Sequence, residues 1–381
     1  MKYVLCLILA IVLVGCSARE TRKTYYDNGQ LKTVFIWKGE KRDGRQEYFN
    51  ENGQLVHADK FDDGILERTT QYAYYNDGQL KSEANFKNGK QDGVTKWFSE
   101  SGKLKEEANW KDGKREGIIK SYYEDGKLKE EANLKNDKQD GITKYFCENG
   151  KLKAEGNWKD GKEEGVKRFY YESGKLKSET NTKNGTQEGV AKFYYENGKL
   201  KYEVNYKNGK QEGVKKDYYE SGELESEANF KNGKQDGVTK WFSESGKLKE
   251  EANWKDGKQD GIAKDFYEDG KLKEEANWKD GKQDGMGKGY YESGKLKAEG
   301  NFKNGKQDGI TKWFSESGKL EQECNWKDGK QEGTTKNYYR SGKLKQESNW
   351  KDDKLDGTRK EFYEDGRLKS EKIYKDGKEV R

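Results

Sequence analysis

The chain has 381 residues, of which 39% are charged and 30% hydrophobic, with no proline, a balance that without aromatic residues would mark disorder. Its 10 Trp, 25 Tyr and 14 Phe recur in register, which argues for a folded array instead. Lys and Arg exceed Asp and Glu by only 77 − 71 = 6 with both signs interleaved, so the concentrated basic face that nucleic acid selects is missing.

The first element in the chain is a short secretory signal. Lys2 gives it a positive start, Val4 to Leu13 an apolar core too short to span a bilayer stably, and Leu13-Val14-Gly15-Cys16 its end. Those four residues resemble a bacterial lipobox. The resemblance implies cleavage that removes residues 1–15 and acylation of Cys16, each buried methylene contributing about 0.8 kcal/mol to attachment. Residues 16–23 are then the lipidated cysteine and a polar tether, Ser17 to Lys23. An ordinary signal with an incidental cysteine, or a weak uncut anchor, is the alternative. Ser17 stands where some bacteria place an inner-membrane retention aspartate, which favours the outer membrane.

From residue 24 to 381 the chain is one array. Gly78, Gly102, Gly126, Gly150 and Gly174 begin a series that runs with a spacing of 24 to Gly366, and Gly29 and Gly53 extend it backwards. Within one period, Gly93 to Gly113, two alternating runs are separated by Ser101-Gly102 and closed by Asp112-Gly113, dipeptides that supply the positive φ of tight hairpins. The reading is all-β: an elongated antiparallel β-meander of about fifteen 24-residue β-hairpin repeats, with about thirty strands in a twisted or curved open sheet. At about 4.8 Å per strand it would extend roughly 140 Å.

Alternation then sorts the columns. Leu104, Ala108 and Trp110 share one face of the second strand, and Lys105, Glu107 and Asn109 the other; in the first strand Val94 and Phe98 share a face with Lys96 between them. Leu, Ala, Trp, Val and Phe together make the expected apolar face. Residues beside the Phe98 column point the other way. They supply a candidate binding stripe of Trp97, Tyr123, Tyr171, Tyr195, Tyr219, Trp241, Tyr267, Tyr291, Trp313, Tyr339 and Tyr363, set beside the ladders of Glu107 and Asn109. The competing reading packs these rings on lysine stems and on each other, as cross-strand pairs stabilising by about 0.2–1 kcal/mol each.

No catalytic constellation accompanies the array. It has no Gly-rich phosphate loop, no nucleophile–base pair and one histidine, His57. Repeated glutamates in equivalent settings cannot acquire the distinct pKa values that paired catalytic acids need. No enzyme, cofactor or metal is expected. The Asp-Gly turns lack the spacing of an EF-hand and are explained by hairpin geometry. Cys147 and Cys324 stand about seven repeats apart, roughly 70 Å at two strands per repeat, too far for a disulfide.

Residues 194–213, Tyr-Tyr-Glu-Asn-Gly-Lys-Leu-Lys-Tyr-Glu-Val-Asn-Tyr-Lys-Asn-Gly-Lys-Gln-Glu-Gly, resemble the bacterial variant of the MORN repeat, also the repeat of YwqK-type antitoxins. The resemblance covers about residues 24–377. It implies a hairpin-built β-sheet without catalytic residues, used for binding, in antitoxin or immunity proteins and in bacterial surface proteins. Residues 85–114 and 229–258 are identical, which points to recent duplication of multi-repeat blocks and a variable array length. Together these features predict a non-enzymatic scaffold, lipid-anchored at the cell envelope, outer membrane or surface, that binds a protein or surface ligand of a host or neighbouring cell. The alternative is a YwqK-type antitoxin or immunity protein that neutralises a toxin by direct binding.

Overall fold

The computed structural model describes residues 18–380; Cys16 and the signal residues 1–15 lie outside them. The described residues hold 35 strand segments and no helix. Two compact units divide the chain, Met1–Gly174 and Lys175–Arg381. Within each, sequential strands pair antiparallel as an open meander, as the hairpin pattern requires. The structure differs at the start of the array: Arg19–Tyr25, largely assigned to the tether, is a strand paired to Leu31–Lys38.

Two kinds of turn alternate, each dictated by its residues. Asp112 and Gly113 both have positive φ, 50° and 83°, and join Leu104–Lys111 to Lys114–Tyr122 through the closing pair Lys111↔Lys114. That two-residue geometry matches the right-handed twist of the flanking strands. At the other end, the Ser99 N–H donates to the Lys103 carbonyl at 2.8 Å and the Gly102 N–H to the Ser99 carbonyl at 2.9 Å. Gly102, at φ 77°, supplies the left-handed residue on which this longer turn closes.

Beyond that turn the register slips by one. Leu104 faces Phe98, but Glu106 faces Trp97, leaving Lys105 without a partner. This bulge overturns the expected face assignment, because a one-residue slip exchanges the two faces of a strand. Ala108 and Trp110 stand opposite Thr95 and Gly93, whereas Val94 and Lys96 stand opposite Asn109 and Glu107. Val94 is therefore 38% exposed on the polar face, while Thr95 and Ala108, each 1% exposed, form the buried line. The Glu and Asn ladders accompany Lys96 and Val94, not Trp97.

The core is accordingly a row of small side chains along one face, covered by longer ones. Ala132, Ala191, Val204, Ala228, Ala252 and Cys324 belong to it, with Thr143, Thr239 and Thr335. Gln91, Gln139 and Gln235 lie over Thr95, Thr143 and Thr239, each side-chain amide donating to the threonine hydroxyl at 2.9–3.3 Å. Both Cys147 and Cys324 are free thiols.

Repeats are also stitched to their successors. The carboxylates of Glu212, Asp260 and Asp284 accept the backbone N–H of Asn232, Asp280 and Asn304, at 2.8, 3.2 and 3.0 Å. The acids of the repeated turn sequence thus cap the next turn's amide. Lys103 and Lys247 donate to the carbonyls of Glu124 and Glu268 at 2.7 and 2.8 Å.

Candidate functional site

The structure places the candidate aromatic residues in two positions rather than in one stripe. Tyr123, Tyr171, Tyr195, Tyr219, Tyr267, Tyr291, Tyr339 and Tyr363 each open the longer turn. Most of these hydroxyls reach the following repeat. Those of Tyr123, Tyr195, Tyr219, Tyr267, Tyr291 and Tyr339 donate to the carbonyls of Phe146, Tyr218, Phe242, Tyr290, Phe314 and Phe362 at 2.6–2.8 Å. A lysine ammonium lies 5.5–5.8 Å above the rings of Tyr123, Tyr195, Tyr291 and Tyr339. These tyrosines tie repeat to repeat through bonds that the sequence pattern did not signal. Tyr363, in the last turn of this kind, is 47% exposed with Arg367 over its ring.

Trp97, Trp241 and Trp313 occupy a different position, inside the first strand of their hairpins and on the face of the buried Ala–Thr line. Each belongs to a row that crosses the strands. In the first unit the row runs Ser82, Trp97, Glu106, Ser121, Glu130, Tyr145, Ala154, Phe169. In the second, from Phe193, it continues through Tyr202, Asp217, Ser226, Trp241, Glu250, Asp265, Glu274, Gly289, Ala298 and Trp313. Sequence reasoning found only the aromatic members Trp97, Tyr145, Phe169, Phe193, Trp241 and Trp313, and took the tryptophans into the candidate stripe. The signal for the rest was present: within otherwise constant repeats, the residue before the Phe98 column changes from Trp to Ser, Tyr, Phe, Asp and Gly.

Variation along this row gives each stretch its own chemistry. Phe193 and Tyr202 stack with ring centroids 4.1 Å apart and planes at 16°. Asp217 takes Lys215 at 2.7 Å and the Ser226 hydroxyl at 3.0 Å. Burial, followed by the nearby Glu130 carboxylate, pushes the Tyr145 phenol up. At the start of the first unit, His57 meets Tyr48 edge-on at 4.7 Å and lies 2.7 Å from Asp59. Among the described residues no group of three His, Cys, Asp or Glu is placed to hold a metal ion. The row can display rings, acids and amides in an order set repeat by repeat, which suits recognition.

Comparison with known proteins gives one strong match. The family model described as MORN repeat variant fits fifteen segments, beginning with 21–37, 42–63 and 67–88 and ending with 331–352 and 355–376. No curated protein matches. Among solved structures, that of TcdB2–TccC3 is 12% identical, with a TM-score of 0.23, covering 94% of this chain and 18% of that one. The Photorhabdus luminescens Tc holotoxin pore is also 12% identical, with a TM-score of 0.15, covering 93% of this chain and 22% of that one. The chain thus spans under a quarter of the length of either.

Proposed function

The chain belongs to the MORN repeat variant family, and from that premise we propose that it is a non-enzymatic binding scaffold, lipid-anchored through Cys16 at the bacterial cell envelope, that engages a protein partner. The observation that carries the reading is the row described above: one position per strand varies in shape and charge while glycines and turn acids repeat. A frame held by constant positions leaves the variable ones free to specify a partner. The lipobox-like Leu13 to Cys16 supplies the anchor and sets the location.

The test is protease treatment of intact cells expressing the wild-type chain or Cys16→Ala, with cells and medium immunoblotted. Removal of the wild-type array by protease, and shedding of the variant, is the expected result. Full protection, with the variant retained in the cell, would reject the surface scaffold and favour a YwqK-type antitoxin that meets its toxin inside.

A further inference from the structure

Where the row runs from Glu250 to Trp313, three positions are reduced to glycine, and the space is left open at Gly289 while Gln283, Phe302 and Thr311 close over Gly287 and Gly300. Gly289 replaces the aromatic residue seen at Trp241 and Trp313, Gly287 the threonine of the buried line, and Gly300 its alanine. A cleft of about 440 Å³ opens over them, within the second unit. Aromatic side chains of Trp278, Phe302 and Trp313 line it.

Its charge is unusual for this array. Glu250, Asp265 and Glu274 face one another across successive strands, and all three line the cleft. Like charges placed directly opposite destabilise a sheet. At two other places across the strands an acid is relieved by a cation two residues earlier, Asp217 by Lys215 and Glu361 by Arg359, while Glu106 and Glu130 face serine or an aromatic ring rather than another acid. The residue two before Asp265 is Ala263, and the effect of Lys249 on Glu250 is outweighed by burial and by Asp265. Burial and then the Asp265 carboxylate raise the Glu250 carboxyl above its usual range.

A second observation is independent of the acids. Thr311 is 4% exposed, and its hydroxyl has no hydrogen-bond partner. It lines the cleft, with Oγ1 2.6 Å from the point where a Cβ on Gly300 would stand. In the corresponding places Thr95, Thr143 and Thr239 are satisfied by Gln91, Gln139 and Gln235. Gln307, the counterpart here, lines the cleft without bonding Thr311. A buried hydroxyl without a partner costs free energy unless something enters to meet it.

We propose that this cleft is a binding site for an organic cation, an alkylammonium or guanidinium group, held by Glu250, Asp265 and Glu274 against the aromatic wall, with Thr311 accepting from its N–H. Five carboxylates against two lysines, Lys288 and Lys297, line the cleft, with Lys288 already paired to Glu275, so its net negative charge repels an anion, and the acids do not converge as metal ligands do. A slender cation satisfies the acids and takes cation–π contact from tryptophan. The proposal deepens the reading of the row as the recognition surface, on which it rests.

Calorimetric titration of the mature chain, residues 16–381 in detergent, with agmatine and separately with acetyl-Gly-Arg-Gly-amide, tests it. At least one probe should bind saturably. Affinity should fall about tenfold in Asp265→Asn, as expected for one lost charged hydrogen bond, and vanish in Gly289→Trp. The second variant fills the cleft with the residue that Trp241 and Trp313 already place at this position, so the repeat tolerates it. Tighter binding of the peptide assigns the cation to a partner protein's side chain, and tighter binding of agmatine to a free amine. Absence of saturable binding by either probe, or binding that survives Gly289→Trp, overturns the site. Protease treatment of cells carrying Gly289→Trp separates the two claims, because surface display should be unchanged whether or not the cleft binds.

Discussion

The turn tyrosines show how a single atom serves the array. The Tyr219 hydroxyl donates to the Phe242 carbonyl at 2.7 Å, one repeat onward, whereas Tyr363 stands in the last such turn and is 47% exposed. Tyr219→Phe removes the donor and should cost about 1 kcal/mol, while Tyr363→Phe should lie within about 0.5 kcal/mol of wild type. Chemical denaturation of both variants compares them directly, and equal losses would remove the staple interpretation. Glycine makes a sharper contrast. Gly261 has φ 113°, and a Cβ there would come 2.9 Å from the Asn253 Cβ, while Gly270, at φ 86°, has nothing within 4 Å. Left-handed backbone costs an alanine about 1–2 kcal/mol. Gly261→Ala should therefore destabilise by more than Gly270→Ala, the excess coming from displaced Asn253. Comparable denaturation midpoints would mean that the strand yields at no cost.

At the scale of the hairpin, the unit of construction is two strands with one turn of each kind. Deleting residues 234–257 joins Gly233 to Lys258, the same Gly-Lys step that Gly257 and Lys258 make now. The turn acids and tyrosines then find equivalent partners, and cooperative unfolding should persist with stability reduced by roughly one repeat's share. Deleting residues 234–245 instead joins Gly233 to Gly246 and removes one strand of a hairpin, so soluble folded protein should be lost. Circular dichroism melts of the two deletions decide the matter, and identical behaviour would refute the hairpin as the unit. The period and the turns were legible because Gly, Asn and Asp answer directly to positive φ. Which residues share a face was not. That depends on the bulge at Lys105, made by a backbone hydrogen-bond pattern that a lysine does not signal. Trp97 was selected from the sequence as an aromatic, yet Glu107 and Asn109 were set beside it, and Ala108 and Trp110 on the opposite face, through the same missed bulge. The cleft at Gly289 was beyond reach for a related reason: a missing side chain matters only once the row across the strands is known.

For the whole molecule, equivalent groups in many repeats turn small linkages into a steep response. Burial first, then the hydrogen bonds to Glu107 and Glu275, push the Tyr122 and Tyr290 phenols up to about 12. Burial also raises Tyr195, Tyr218, Tyr219 and Tyr338. A phenol held protonated in the folded chain stabilises it fully below the unfolded value of about 10, and that stabilisation is lost as pH rises through the folded value. Stability should thus hold up to pH of about 10 and then fall steeply toward about 12, each affected repeat adding to the slope. Thermal melts recorded alongside phenolate absorbance test this. Ionisation of these half-buried phenols near their ordinary value, with no loss of melting temperature, would contradict it. Glu107→Gln supplies the internal control. Removing the carboxylate that accepts from Tyr122 should lower that phenol's value and make the alkaline decline shallower, whereas a merely general loss of packing would shift the melting temperature equally at every pH.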